Sequence, residues 1–241
     1  MTRKLLCLCL LLLLTGAGFA QAAPAAPAKP AAHAEATQPA PSADALWAEL
    51  MAGNKRFVAG KPRARALVPL RRKLASGQAP HVIVLACSDS RVAPEILFDQ
   101  TLGDLFVIRT AGNVADPVAL GSIEYAVDRL HSTVLVVLGH QACGAVRAAC
   151  SGDKMPSKNL DAIVEKISPA VTQAKTYAKA DELVEAAIKE NVRQSAKDVL
   201  ANSEILREAV KSGKLKVIEA EYQLDTGRVV RLDAPANPPN H

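Results

Sequence analysis

Aromatic residues, excess charge and long apolar runs are all scarce in this 241-residue sequence. Only 3% of the residues are aromatic, which leaves few rings on which nucleic-acid bases could stack. The formal net charge of +5 falls to +3 when Arg3 and Lys4, in a segment that we expect to be removed, are subtracted. Because this charge is small and scattered, we predict no nucleic-acid partner. The longest apolar run, Leu5–Leu14, has ten residues and is too short to span a bilayer comfortably.

Cysteine is also scarce, and its spacing argues against two further classes of protein. Cys7 and Cys9 lie near the start of the chain, which leaves Cys87, Cys143 and Cys150. An odd number of cysteines suits a disulfide framework poorly. No Cys-x-x-Cys motif is present, which argues against a thiol oxidoreductase. Metal binding by two of the three later cysteines explains the pattern better.

The composition divides the chain into four regions. Residues 1–22 have a basic start, an apolar run and then small residues, which predicts a signal peptide. We therefore expect a periplasmic or secreted protein with no stable membrane span after cleavage; an uncleaved anchor is the alternative. Residues 23–43 form an Ala/Pro-rich linker, and the proline-rich residues 233–241 predict a disordered tail. Residues 44–232 remain as one domain of ordinary size.

Short β-branched runs alternate with helical patterns between residues 81 and 150, which is typical of a parallel sheet with crossover helices. The predicted strands are 81–86, 104–110, 133–139, 215–220 and 229–232, the last antiparallel to its predecessor. The predicted helices begin at Ala45, capped by Asp44, and continue with 94–99, 117–130, 143–149, 160–178 and 181–211, with an irregular basic segment at 60–80. The fold class is therefore α/β, with a mainly parallel central sheet, an antiparallel edge strand, flanking helices and an N-terminal helical arm.

Polar clusters follow two of the predicted strands. Cys87 and Asp89 follow the first strand, and His140 and Cys143 follow the third. The carboxyl ends of parallel strands are where open α/β sheets place their sites. Thiolates and imidazole are ligands that zinc prefers, and three protein ligands leave a fourth position open, as in catalytic sites. The sequence therefore predicts one Zn²⁺ per chain, bound by Cys87, His140 and Cys143.

Asp89 and Arg91 are two residues apart, so on an extended stretch their side chains share a face. Arginine can donate to both oxygens of a carboxylate. Such a fork would hold Asp89 ionised, either as a hydrogen-bond acceptor for a zinc-bound hydroxide or as a fourth zinc ligand. The simpler alternatives are a surface ion pair for Asp89 and Arg91 and a satisfied core histidine for His140.

These motifs resemble those of the β-class carbonic anhydrases, and the match covers about residues 44–232. The segments that carry the resemblance are Gly53–Phe57, Cys87–Arg91, Arg109–Asn113, Gly121–Tyr125 and Gly139–Gly144. The resemblance implies zinc-dependent, reversible hydration of carbon dioxide to bicarbonate and a proton, by attack of zinc-bound hydroxide on CO2. It gives Cys87, His140 and Cys143 the role of zinc ligands, and Asp89 and Arg91 that of a catalytic pair, with Asp89 as fourth ligand in a closed state.

The resemblance also implies a substrate pocket and an oligomer. It assigns substrate contacts to Gln78, reaching in from a neighbouring subunit, and to Phe106, Tyr125 and Gly144. It implies a homodimer or a dimer of dimers, in which Trp47 and Phe57 on the N-terminal arm contact the partner.

One position departs from the family, and one cysteine has no counterpart. Some members hold bicarbonate at an allosteric site through a tryptophan three residues before the first ligand. Val84 stands there in this sequence, so we predict no such site. Cys150 is predicted to be a buried free thiol, with a Cys143–Cys150 disulfide as a hypothesis for the metal-free protein.

The motifs leave two alternative functions open. The same site could act on another heterocumulene, such as CS2 or COS, because a zinc hydroxide suits those substrates as well. A non-catalytic zinc-binding protein is the alternative from another class. Asp89, Arg91 and Gln78 argue against it, because metal storage requires none of them.

Overall fold

The computed structural model of the protein describes residues 41–232. The predicted signal peptide, the predicted linker up to residue 40 and the predicted tail at 233–241 lie outside the described residues. Within residues 41–232, no helix is both long enough and apolar enough to cross a membrane.

The centre of the fold is a five-stranded sheet in the order β2-β1-β3-β4-β5. The strands are β1 Val82–Cys87, β2 Leu105–Thr110, β3 Val134–His140, β4 Lys216–Tyr222 and β5 Val229–Arg231. The first four are parallel, and β5 pairs antiparallel with β4. Every residue of β1 and β3 is buried, which explains why their sequences show no alternation. The predicted fold class is confirmed.

Eight α-helices surround this sheet within the described residues. They are α1 Ala43–Val58, α2 Leu67–Lys73, α3 Pro94–Leu97, α4 Pro117–Asp128, α5 Gly144–Ser151, α6 Lys158–Ala174, α7 Leu183–Ala201 and α8 Glu204–Lys211. One face of β1 packs Ile83 and Leu85 against α4, α7 and α8. The opposite face packs Val82, Val84 and Ala86 against α1 and α3. The sheet is therefore covered on both sides.

Three local predictions were wrong. The first helix begins two residues earlier than predicted, because the Ser42 hydroxyl, not Asp44, accepts the Ala45 N–H at 3.2 Å. The segment predicted as irregular contains α2. The predicted helix 181–211 is two helices, because Ser203 adopts an extended conformation (φ −135°) and caps α8 through the Leu206 N–H. The regular charge pattern of that stretch gave no indication of the break between α7 and α8.

Trp47 and Phe57 on α1 both pack within their own chain. The Trp47 ring lies edge-on to Phe98, with 6.5 Å between ring centroids, and the Arg231 guanidinium lies 5.9 Å from it. The Phe57 ring lies 6.5 Å from that of Tyr222. Both rings therefore have packing contacts within their own chain and do not require a second subunit. Their assignment as intersubunit contacts remains a prediction.

A buried carboxylate fastens α1 to the turn that follows α3. Asp99 is 3% exposed and accepts hydrogen bonds from Arg56 Nε at 2.5 Å, from the Arg63 N–H at 3.2 Å and from the guanidinium of Arg65. Burial alone would raise the pKa of Asp99, but these donors and their positive charges outweigh it and hold the pKa below its usual value. The ionised Asp99 therefore contributes to the stability of the N-terminal half.

We predict that Asp99→Asn lowers the free energy of unfolding by about 2–3 kcal/mol, since it leaves two arginines without their anion. Chemical denaturation followed by circular dichroism measures this change. Asp128→Asn is the matched control, because Asp128 pairs with Arg129 on the exposed surface and should change stability by less than about 0.5 kcal/mol.

The Asp99 contribution should also depend on pH. The folded-state pKa lies below the unfolded value of about 3.9, so the stabilisation is complete above that value and is lost as the pH falls through the folded-state pKa. The stability difference between wild type and Asp99→Asn should therefore shrink below about pH 4. A difference that stays constant down to pH 2.5 would contradict this account.

Candidate metal centre

Cys87, His140 and Cys143 converge at the carboxyl edge of the sheet. Cys87 ends β1, His140 ends β3, and Cys143 is the residue before α5. Because β1 and β3 are parallel neighbours, with Ala86 opposite Leu138, their last residues share one edge. All three side chains are buried, and their ligand atoms lie within 4.8 Å of one another. The predicted ligands are therefore brought together.

The distances and the hydrogen bonding of this cluster fit zinc. Two sulfurs bound at about 2.3 Å in a tetrahedral zinc site stand roughly 3.8 Å apart, and here Cys87 Sγ and Cys143 Sγ are 4.0 Å apart. His140 Nδ1 lies 2.9 Å from the Gln141 carbonyl, which it reaches as a donor, so Nε2 carries the lone pair. Nε2 is buried and has no hydrogen-bond partner among residues 41–232. A metal ion bound to Nε2 would offset the free energy that a buried acceptor without a partner costs.

A strained turn places His140 and Cys143 together. Ala142 has a left-handed conformation, with φ of 56°, which residues other than glycine rarely adopt. The turn is fastened from two sides: the Gln141 N–H donates to the Tyr222 carbonyl at 2.9 Å, and the Ala142 N–H donates to Glu185 Oε1 at 3.3 Å. Contacts from β4 and α7 therefore support a backbone conformation that costs energy.

The two thiols of the cluster differ in their acidity. Hydrogen bonding with Cys143, His140 and the Gly112 N–H outweighs the effect of burial and lowers the pKa of Cys87. The Cys87 thiolate and burial in turn raise the pKa of Cys143. Burial tends to lower the pKa of His140, but the Cys87 thiolate outweighs burial and raises it. The lowered pKa favours the thiolate form of Cys87, which is the form that binds a metal.

Asp89 and Arg91 form the predicted fork at the mouth of the cluster. Arg91 Nε donates to Asp89 Oδ1 at 2.9 Å, Arg91 Nη2 donates to Oδ2 at 2.8 Å, and the Arg91 N–H adds a third bond at 3.0 Å. These bonds hold the pKa of Asp89 well below its usual range. Oδ2 lies 4.0 Å from His140 Nε2, so an ionised carboxylate faces the cluster. Its binding as a fourth ligand in a closed state remains a prediction.

Arg109 shapes the loop that carries Cys87 and Asp89. Its Nε donates to the Cys87 carbonyl at 3.0 Å, and its Nη2 donates to the Asp89 carbonyl at 2.5 Å. Arg109 lies in one of the segments of the resemblance but had no predicted role of its own. Its position near the end of β2 indicates this role, because Arg109 pairs in register with Ala86, the residue before the first ligand.

Gly112 is a second contributor, which lies in the segment Arg109–Asn113 of the resemblance and had no predicted role. Its N–H donates to Cys87 Sγ at 3.3 Å. Its φ is 69°, and an added Cβ would stand 2.7 Å from Cδ1 of Ile167. Both the left-handed backbone and the close packing therefore require glycine here.

Three predicted substrate residues lie away from the cluster of their own chain. Gln78 is exposed and precedes β1, at the opposite edge of the sheet from Cys87. Phe106 pairs with Ile83, four residues or roughly 13 Å along β1 from Cys87. Tyr125 lies on α4, is half exposed, and has its ring 6.3 Å from that of Phe106. Their substrate contacts therefore remain predictions.

Gly144 is the one predicted pocket residue that adjoins the cluster, since it follows Cys143 and begins α5. An added Cβ would meet nothing within 4 Å, so packing within the chain does not require glycine at this position. The space beside Cys143 is open.

Val84 is fully buried inside β1, and the absence of an allosteric bicarbonate site there remains a prediction.

The hypothesis of a Cys143–Cys150 disulfide was wrong for this fold. The two residues are seven positions apart along α5, and the helical rise separates their Cα atoms by roughly 10 Å, beyond the limit of about 7 Å for a disulfide. Cys150 is a free, partly buried thiol, whose pKa is raised by burial. It lies outside the metal cluster.

Comparison with known proteins agrees with this geometry. A family model described as carbonic anhydrase matches residues 82–229. Carbonic anhydrase 2 of Mycobacterium tuberculosis is 41% identical over 199 residues, which cover 80% of this chain and 94% of that protein. A carbonic anhydrase of Mycolicibacterium smegmatis is 40% identical over 191 residues, which cover 77% of this chain and 91% of that protein.

Solved structures show the same relationship. One of two tetrameric β-carbonic anhydrases from the filamentous ascomycete Sordaria macrospora is 28% identical and aligns with a TM-score of 0.63. The alignment covers 78% of this chain and 97% of that one. The chain therefore belongs to the carbonic anhydrase family of enzymes, in its β class.

Proposed function

We propose that the chain catalyses the reversible hydration of carbon dioxide to bicarbonate and a proton, with one Zn²⁺ bound by Cys87, His140 and Cys143. The observation that carries the proposal is the convergence of these ligand atoms within 4.8 Å, with the ionised Asp89 4.0 Å from His140 Nε2. When bound there, zinc supplies a Lewis acid that makes water nucleophilic near neutral pH.

Asp89 and Arg91 orient the attacking water. Arg91 bonds both carboxylate oxygens, so Asp89 stays ionised and can only accept hydrogen bonds. An acceptor fixed beside the cluster takes one O–H of the water and turns an oxygen lone pair toward CO2. Arg109 keeps Asp89 in place by holding the carbonyl of the same residue. A C–O bond forms, bicarbonate leaves, and the proton passes to buffer.

The chain leaves open space beside one of the proposed ligands. Gly144 presents no side chain beside Cys143, and nothing lies within 4 Å of the position that its Cβ would take. The cluster itself is buried, which keeps bulk water from competing for the ligands. The open position beside Cys143 gives a small substrate such as CO2 access to the buried cluster.

Two variants separate zinc binding from CO2 hydration: one should lose both, and the other should keep zinc but lose most of its activity. The purified wild type should contain about one zinc per chain and hydrate CO2 in a stopped-flow assay. Cys87→Ser should lose both properties. Asp89→Asn should keep the zinc but lose about 100-fold in kcat, because the ionised acceptor of the water becomes a neutral amide. Cys150→Ser is the matched cysteine control and should resemble the wild type.

Two results would contradict this proposal. Full zinc occupancy without hydration between pH 7 and 9 would exclude the reaction and leave metal binding alone. Equal loss of zinc in Cys150→Ser and Cys87→Ser would show that the variants disturb the fold and not the ligand set.

We propose further that the active form is a homodimer or a dimer of dimers, with Gln78 serving the site of a partner. Gln78 precedes β1 and Cys87 ends it, so the length of the strand, about 20 Å, separates Gln78 from its own cluster. A tetrameric state is described for the relatives from Sordaria macrospora. Light scattering measures the assembly directly.

Subunit mixing tests the role of Gln78. Gln78→Ala and Cys87→Ser should each be nearly inactive, because one lacks the amide and the other lacks the metal. Refolded together, they form mixed dimers in which one site has both, so about one quarter of the wild-type activity should return. Cys87→Ser mixed with Asp89→Asn is the control: the Asp89→Asn site stays defective in every dimer, so activity should not rise. No recovery in the first mixture would show that Gln78 does not act across subunits.

We also propose export to the periplasm or the cell exterior, supported by the basic start and ten-residue apolar run within residues 1–22. Expression of the full chain in a Gram-negative host should give a shortened protein in the periplasmic fraction, with its new N-terminus near residue 23. Arg3→Glu combined with Leu10→Arg, which breaks both signal elements, should keep the full-length chain in the cytoplasm. Full-length wild-type protein found only in the cytoplasm would contradict export.

A further inference from the structure

A buried amide on α7 stands behind the backbone donor that bonds the Cys87 sulfur. Asn191 is 1% exposed, and its Nδ2 donates to the Gly112 carbonyl at 2.7 Å. Gly112 in turn donates its N–H to Cys87 Sγ at 3.3 Å. Asn191, Gly112 and Cys87 thus form a continuous chain of hydrogen bonds from the helix to the metal ligand.

The Gly112 backbone needs such support. Gly112 and Asn113 have φ values of 69° and 47°, two successive residues in the left-handed region. Glycine gains little from side-chain packing and rotates easily, so nothing in its own chemistry keeps the N–H directed at sulfur. The Asn191 bond fixes the carbonyl of Gly112 and thereby limits rotation about the same Cα.

We propose that Asn191 is a positioning residue of the metal centre, which holds Gly112 so that its N–H stays bonded to the Cys87 thiolate. Asn191 does not contact the ligand cluster itself and acts only through Gly112. Hydrogen bonds to a ligating atom orient it and tune its basicity, and their removal typically costs 10–100-fold in metal affinity. This inference rests on the proposed zinc site, and it adds a residue that the zinc-binding motifs do not contain.

A neighbouring residue on α7 provides a matched control. Ser195 is 2% exposed, and its Oγ accepts a hydrogen bond from Asn113 Nδ2 at 3.4 Å. Ser195 thus has the same burial on the same helix and contacts the same segment. It does not hold the residue that donates to Cys87. Ser195→Ala removes a buried polar contact of α7 while leaving the Asn191–Gly112–Cys87 chain intact.

The test uses the full mature chain and Asn191→Leu, which keeps the side-chain volume but removes the donor. We expect the zinc dissociation constant, measured by competition with a chromophoric chelator, to rise at least about 10-fold in Asn191→Leu and less than about 3-fold in Ser195→Ala. In the Co²⁺-substituted protein, the thiolate-to-metal charge-transfer band should shift in Asn191→Leu only. If Asn191→Leu does not fold, Asn191→Ser serves the same purpose, because its short hydroxyl does not reach the Gly112 carbonyl.

The outcomes separate this inference from the proposed function. Wild-type zinc affinity and an unshifted cobalt band in Asn191→Leu would overturn the inference and leave the proposed function standing. Equal weakening in Asn191→Leu and Ser195→Ala would also overturn it, because the effect would then be a general loosening of α7. Wild-type protein that binds no zinc would overturn both.

Discussion

The parallel pairing of β1 with β3 is the constraint on which the rest of the structure depends. Two strands that run side by side in the same direction end at the same edge, so Cys87 and His140 meet although 53 positions separate them in sequence. The short, continuous apolar runs that bury these strands on both faces fix the pairing. The ligand geometry therefore depends first on the hydrophobic core, which fixes where the short segments around the ligands begin.

Around this framework, each part of the site is held by a different element. Arg109 on β2 holds the carbonyls of the Cys87 loop, and Glu185 on α7 supports the left-handed turn at Ala142. Asp89 and Arg91 bond each other at the rim. Groups that must keep a fixed geometry are thus anchored to buried strands and helices, while the Arg91 side chain reaches solvent. Such anchoring is what a preorganised site requires.

Sequence reasoning could predict the parts of this structure that have strong local signals. The unalternating runs before Cys87 and His140 indicated buried parallel strands, and ligand-type residues at their ends indicated a metal site. It could not predict the Asn191 contact with Gly112, because that contact joins residues 79 positions apart without a charge or spacing signal. It predicted one helix over residues 181–211, where the structure has α7 and α8 with Ser203 as the N-cap of α8. Such a cap depends on local dihedral angles, which the charge pattern does not reveal. The proposed role of Gln78 involves a second subunit, so no contact within its own chain indicates it.

The separation of Cys87 from the pair His140 and Cys143 has a consequence for the order of folding. An unfolded chain offers only the two nearby ligands to a metal, and closing a loop of 53 positions to reach the third carries an entropic cost. High-affinity capture therefore awaits the pairing of β1 with β3, a long-range step that is slow compared with helix formation. Binding of the proposed zinc would therefore require the paired strands, so metal uptake would report that the central sheet has formed.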